Sequence, residues 1–345
     1  MTQTASSTPV AKPAPAVGLV LAALGVVYVV WGSTYLGIRI MVEEAPPLVA
    51  GGLRFMTAGV LLGALLALKG GPRRLAVTPR QLLGAGFLGL MLPMMGNGLV
   101  SVGEDLGAPS GVTALLIAVI PLWIVLFRVL SGDRPGGLSL LGVLLGFAGL
   151  AYLVFAGQAS GDRELSLVAA GIIVLASMCW ALGSFVQPRL SLPEDVFVTT
   201  VYEMLTGGAI MVLAGLALGE RFTFDYSASI WLSWGYLVVF GSMLAFTSYV
   251  WLLANAPISL VATYAYVNPV VAVFLGWLIL SEPVTLPVVV GGGIVVLAVA
   301  IVITAERPRR KPLPQTPAPE SLEAVRSVHA EAQGRPDESE RDIVA

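Results

Sequence analysis

The sequence predicts an all-α integral membrane protein with ten transmembrane helices in two inverted repeats of five, and three observations predict it. Only 12% of its 345 residues are charged and 57% are hydrophobic, where soluble domains carry about 25% charged residues. Apolar runs of roughly 20 residues, the length a helix needs to cross the hydrocarbon core, recur along the whole chain. The first half also matches the second at a nearly constant offset.

Residues 1–15 form a polar, Pro/Ser/Thr-rich arm expected to be disordered. Spans are expected over 17–38, 47–68, 81–102, 109–130 and 138–156 in the first half, and over 165–187, 196–217, 229–253, 258–280 and 284–304 in the second. The first run is too long for the apolar core of a signal peptide, and further spans follow it, so it counts as helix 1. Connections are short and hold turn chemistry, as in "KGGPRR" and "SGDRPGG". From 306 to 345 the chain is polar, charged and Pro-containing, a composition too poor in apolar surface to offset chain entropy. The expected division is a disordered arm (1–15), two five-helix modules (16–156 and 165–305) and a disordered cytoplasmic tail (306–345).

Lys and Arg near helix ends set orientation. With a cytoplasmic N-terminus, inside segments hold twelve such residues, among them Lys69, Arg73, Arg74 and Arg80, against Arg39, Arg163 and Arg221 outside. Both termini are therefore expected in the cytoplasm.

The internal repeat is read by offset. Trp31 matches Trp180 and Gly59 matches Gly208 at 149, while "APSGVTALLIAVIP" (108–121) matches "APISLVATYAYVNP" (256–269) at 148. Five spans per half is an odd number, so the second half enters the membrane inverted. Inverted repeats mark secondary transporters, whose site lies near the midplane between the halves; channels also carry them.

Three stretches, "WGSTYLGIRIMVEEAPPLVAGGLRFMTAG", "GNGLVSVGEDLGAPSGVTALLIAVIPLW" and "ATYAYVNPVVAVFLGWLILSEPV", resemble the EamA modules of the drug/metabolite transporter superfamily. The resemblance covers roughly residues 16 to 305. It implies two inverted five-helix modules and export or exchange of small metabolites such as amino acids, or of xenobiotics. The acidic residue such modules place after their fourth helix is Glu282 in the second half, but Asp133-Arg134 in the first; Glu282 is read as closing a turn.

Trp31, Thr34, Tyr35 and Ile38 share one face of helix 1 by their i, i+3, i+4, i+7 spacing, and the repeat puts Trp180, Gly183, Ser184 and Gln187 at matching positions. Such stripes line a cavity, or pack small and hydroxylated residues between helices. Arg54 lies a third of the way into helix 2, too costly to face lipid, and its repeat position is Glu203. The two either pair, or Arg54 meets a carboxylate or phosphate on a substrate, or it snorkels to the interface. Asn97 and Ser101 lead into Glu104-Asp105, which is either a solvated turn or a carboxylate carrying a coupling proton. Glu203 is the second coupling candidate.

Pro121 and Pro269 sit mid-membrane in helices 4 and 9, where each removes a backbone hydrogen bond and forms a hinge or serves packing. Trp123, Tyr264, Tyr266 and Asn268 stand beside them as candidate pocket residues, with Tyr249 and Trp251 on helix 8. Met91, Met94 and Met95 read as core filling or a soft pocket wall.

A net charge of −2, with no basic block in the first 300 residues, gives nucleic acid no partner surface. The single Cys179 and the single His329 form no metal cluster, and no phosphate loop or nucleophile-base pair is present. The expectation is a non-enzyme without cofactors: a secondary transporter of the inner membrane, monomer or homodimer, working by alternating access on a small-molecule substrate with or without a coupling proton. The other class open to the chain is a membrane-bound ligand sensor using the same cavity.

Overall fold

The computed structural model describes residues 16–159, 166–256, 258–261 and 263–305. The N-terminal arm and the polar tail expected to be disordered lie outside the described residues. Among the described residues the chain is helical, with no strand.

The bundle consists of α1 (Val17–Met41), α2 (Pro47–Gly70), α3 (Pro79–Asp105), α4 (Ser110–Leu130), α5 (Gly137–Ala156), α6 (Leu167–Arg189), α7 (Val196–Ala217), α8 (Ala228–Tyr249), α9 (Tyr264–Leu280) and α10 (Leu286–Ala305). Nine of these, among the described residues, have the length and composition to cross a membrane, and α9 is a shorter apolar helix. One turn, Ile258–Val261, precedes α9, and each helix falls on one expected span. Large apolar side chains such as Leu61, Leu144, Phe274 and Leu297 are exposed, as lipid-facing residues must be.

Local chemistry sets the ends. Thr78 accepts from the Gln81 amide and Gln81 returns to the Thr78 amide, a capping box that starts α3 at Pro79, two residues before the expected start. α4 breaks at Ala118–Val119 and restarts at Ile120. Pro121 sits in the first turn of the restarted segment, where its missing N–H leaves no bond unmade. Pro269 lies inside the continuous helix Tyr264–Leu280, and the chain interrupts earlier, at Thr263.

The two halves meet through equivalent helices. α2 crosses α7 backbone to backbone: a Cβ on Gly52 would lie 2.6 Å from the Gly208 carbonyl oxygen, and one on Gly208 2.7 Å from that of Gly52. Gly59 then faces Met204 and Leu205, and Gly63 faces Val201, so the pair runs antiparallel. α5 and α10 pack the same way, Gly149 against Ile294 and Gly291 against Leu153. Without a hydrophobic drive between helices in lipid, such small residues allow the close van der Waals contact that holds them together.

Three stretches wind as π-helix: Val27–Trp31 in α1, Leu90–Gly98 in α3 and Leu237–Leu244 in α8. The last two occupy equivalent positions in the two repeats. Pro93 lies inside the second, where the missing N–H and the ring bulk oppose a regular α-turn.

Carboxylates from one half or loop cap helix N-termini at one end of the bundle. Glu220, after α7, accepts from the amides of Leu48 at 3.2 Å and Val49 at 2.7 Å at the start of α2. Glu282, after α9, accepts from Ser110 N at 2.8 Å, Gly111 N at 3.2 Å and Ser110 Oγ at 2.9 Å at the start of α4. Glu44 accepts from Ser227 N at 2.9 Å before α8, and these Ser227 hydrogen bonds hold its carboxyl below the usual carboxylate range. Each meets orphan amides at the positive end of a helix dipole. Glu282 thus does more than close its own turn: it joins the second repeat to the first. The opposite end is tied by the ion pair Arg74–Asp195 at 2.7 Å and by Tyr202 Oη donating to the Leu75 carbonyl at 2.7 Å.

Candidate functional site: a cavity between the repeats

A cavity of about 90 Å³ lies among helices of both halves, several times the roughly 10–15 Å³ that one water occupies by such a measure. Its wall takes Trp31, Thr34, Tyr35 and Ile38 from α1, Arg54 and Phe55 from α2, and Gly96, Asn97 and Val100 from α3. Ile117 and Ile120 flank the break in α4, Trp180 comes from α6, and Gly241, Ser242 and Phe246 come from α8. Tyr264 and Asn268 of α9 complete it. All three π-stretches deliver wall residues: Trp31, then Gly96 with Asn97, then Gly241 with Ser242. A π-turn shifts the register of a helix locally, and such turns recur at functional sites.

Trp31 is the hub of the aromatic side. Its indole donates Nε1–H to the Gly241 carbonyl at 3.3 Å. Ring centroids of Tyr249, Tyr264 and Phe246 lie 4.9, 5.3 and 5.9 Å away, the last two edge-on, arrangements the ring quadrupole favours. Tyr28, one turn earlier, hydrogen-bonds the Thr263 hydroxyl beside the interruption ahead of α9. The Asn268 amide, oriented to satisfy its nitrogen, donates to the carbonyls of Tyr28 and Tyr264, both at 3.3 Å. Thr34 turns its hydroxyl back to the Trp31 carbonyl at 2.7 Å, and its methyl lies 3.0 Å from where a Cβ on Gly241 would stand.

Arg54 is the polar centre. It is 4% exposed, its Nε donates to Ser242 Oγ at 3.1 Å, and its guanidinium carbon sits 4.6 Å from the Phe55 ring centroid. It forms no ion pair with Glu203, which is also buried and absent from the cavity wall. Inversion explains this. Gly59 faces Met204 and Leu205 on α7 and Gly63 faces Val201, so Glu203 lies about six residues further from the carboxylate-capped end than Arg54, roughly 9 Å at 1.5 Å per residue. Residues equivalent under an inverted repeat sit at mirrored depths and meet only at the midplane.

Other residues singled out from the sequence lie elsewhere. Trp123 donates Nε1–H to Ser177 Oγ at 3.0 Å and packs on Phe147 at 4.7 Å between centroids, outside the cavity. Ser184 bonds the Trp180 carbonyl on its own helix at 2.9 Å, and Tyr266 packs on the apolar core of α4, α5, α6 and α10. Glu104 is completely buried near the capped end rather than in a solvated turn. Met94 packs on Phe55, Met204 and Met211 as core. Sequence reasoning missed Gly241, Ser242 and Phe246; the signal was "FGSMLAFTSY", small and hydroxylated residues inside an apolar helix. Among the described residues, no group of three or more His, Cys, Asp or Glu is placed to hold a metal.

Two antiparallel-packed five-helix halves around a shared polar and aromatic cavity define a multi-pass membrane protein of the transporter class. The model of the EamA-like transporter family matches residues 16–155 and again 167–304, and the chain belongs to that family. It is 39% identical over 280 residues to the uncharacterized inner membrane transporter YedA of Escherichia coli K12, covering 81% of this chain and 89% of that one. The uncharacterized transporter YoaV of Bacillus subtilis is 22% identical, over 78% of this chain and 91% of its own. The chloroplastic WAT1-related protein At3g02690 of Arabidopsis thaliana is 24% identical, over 79% and 66%. A crystal structure 18% identical in sequence superposes with a TM-score of 0.58, over 85% of this chain and all of that one, and supports the fold alone. The protein is a multi-pass transporter-family protein of the inner membrane.

Proposed function

We propose that the chain is a secondary transporter that moves a small carboxylate-bearing metabolite, amino acids first among the class, by alternating access about the cavity between its repeats. Both termini are cytoplasmic, the carboxylate-capped end faces outward, and flow is export or exchange. Arg54 carries this reading: a buried guanidinium whose side-chain hydrogen bond goes to a neutral hydroxyl, and with which no carboxylate among the described residues forms an ion pair. A charge held at such cost inside a membrane bundle marks a pathway or ligand site, and a guanidinium matches a carboxylate in two-pronged geometry. The aromatic faces of Trp31 and Tyr264 give the rest of the solute an apolar surface. The interruptions in α4 and before α9 place flexible joints beside the same wall.

Counterflow in proteoliposomes against pooled amino acids, and against the same amino acids as carboxamides, tests it. Exchange of the acids and not of the amides is expected. Saturable binding of the acids without counterflow of either pool would favour the sensor reading.

A further inference from the structure

The hydrogen-bonding groups on the cavity wall divide into those already engaged and those left over. Trp31 donates to the Gly241 carbonyl, Thr34 to the Trp31 carbonyl, and Asn268 to the carbonyls of Tyr28 and Tyr264. Tyr264 bonds the Tyr249 side chain, and Ser242 accepts from Arg54 Nε. The side chains of Asn97 and Tyr35 make no hydrogen bond among the described residues, although both line the cavity and are half-buried there. A polar group kept free on the wall of an otherwise satisfied cavity calls for an explanation.

Their placement is built into the helices. Asn97 lies near the end of the π-stretch Leu90–Gly98, four residues after Pro93. Ser101 Oγ, one turn on, donates to its carbonyl at 3.1 Å. At the neighbouring Gly96 a Cβ would lie 2.6 Å from Trp180 Cε3, so only glycine lets the indole rest against the turn that carries Asn97. The Trp180 Nε1–H has no partner either among the described residues. Tyr35 stands on α1, one turn after Trp31.

The spare groups are of two kinds. Arg54 and Trp180 keep N–H donors, whereas the Asn97 amide and the Tyr35 phenol supply acceptor oxygens. A plain carboxylic acid uses the donors alone. A zwitterion uses both, because an ammonium has three donors and no acceptor. The wall contains no Asp or Glu, and one placed beside Arg54 would pair with the guanidinium and displace the carboxylate of the solute. Neutral oxygens hold an ammonium without that competition.

We propose that Asn97 and Tyr35 form an amino-group subsite, so that the solute is a 2-amino acid whose ammonium donates to Asn97 Oδ1 and Tyr35 Oη while its carboxylate meets Arg54. The subsite rests on the carboxylate reading above and narrows it, since an acid without the amino group leaves both oxygens unpaired in the closed cavity. A site built to hydrogen-bond a solute group rejects the analogue that lacks it.

The test is binding to the full chain in detergent, read by tryptophan fluorescence, which needs no transport. The probes are leucine and phenylalanine, and their des-amino counterparts 4-methylpentanoate and 3-phenylpropanoate. The wild type binds at least one amino acid about tenfold or more tightly than its des-amino counterpart, the worth of a hydrogen bond to a charged group. Tyr35→Phe and Asn97→Leu each bring that ratio toward one by weakening the amino acid alone. Equal affinity for each pair in the wild type overturns the subsite while the carboxylate reading of Arg54 stands; binding of no acid from either class overturns both. A variant that weakens the two classes alike overturns the place of that residue in the subsite. The wild-type comparison needs no substitution, and Tyr35→Phe removes a single oxygen, so a folding defect in Asn97→Leu leaves the test intact.

Discussion

Arg54 and Ser242 join α2 to α8 across the repeat boundary, the guanidinium Nε donating to the hydroxyl at 3.1 Å inside the cavity wall. On the proposed function, the bond leaves the two terminal nitrogens of the guanidinium for the solute carboxylate. Ser242 is therefore a positioning residue. Ser242→Ala removes one bond to a charged group, a loss of about 1.5–3 kcal/mol, and raises KM for carboxylate solutes roughly tenfold while the maximal rate changes little. Ser242→Thr keeps the hydroxyl and restores KM; loss of rate in both variants would point to a folding role instead.

The α2–α7 crossing has no room for a methyl group. Gly208→Ala places Cβ 2.7 Å from the Gly52 carbonyl oxygen and 2.8 Å from Met56 Cγ, so the helices must separate at a cost of about 1–3 kcal/mol. Gly293, with nothing within 4 Å of its Cβ position, accepts alanine without loss. Unfolding midpoints in detergent distinguish the two: Gly208→Ala falls and Gly293→Ala holds.

Glu220 and Glu282 close one end of the bundle by capping helices they do not belong to. Glu220→Gln with Glu282→Gln weakens both caps, each by about 0.5–2 kcal/mol, and shifts the protein toward the form open at that end. Labelling of a cysteine at Asn97, in a Cys179→Ser background, by an impermeant maleimide added outside reads this directly. Faster labelling in the double variant is expected.

Trp31 links α1 to α8 through its indole N–H and packs three aromatic rings. Trp31→Phe keeps the ring contacts and loses the bond, so it alters solute preference while inserting normally. Trp31→Ala empties the hub and costs about 3–5 kcal/mol of stability, measured by thermal unfolding in detergent.

Much of the fold was legible because lipid imposes a simple rule. An unpaired backbone cannot cross the hydrocarbon core, so apolar runs of spanning length read as helices, and the Trp31–Trp180 offset revealed the repeat. The site was only half legible. Trp31 and Trp123 are both mid-membrane tryptophans, yet α4 restarts at Ile120 and aims Trp123 at Ser177, which spacing along an unbroken helix cannot foresee. Arg54 and Glu203 are equivalent by offset but sit at mirrored depths. The π-stretches that put Asn97 and Ser242 on the wall depend on tertiary packing and carry no periodic signature.

The proposed function rests on Arg54 reading a carboxylate. The decisive measurement is transport of one amino acid and its carboxamide by wild type and by Arg54→Gln, each expressed as kcat/KM. The wild type is expected to prefer the acid by about 10- to 100-fold, the worth of one hydrogen-bonded charge pair, and Arg54→Gln to bring that ratio to about one by losing the acid alone. Equal preference in the two proteins would contradict a carboxylate-reading role for Arg54.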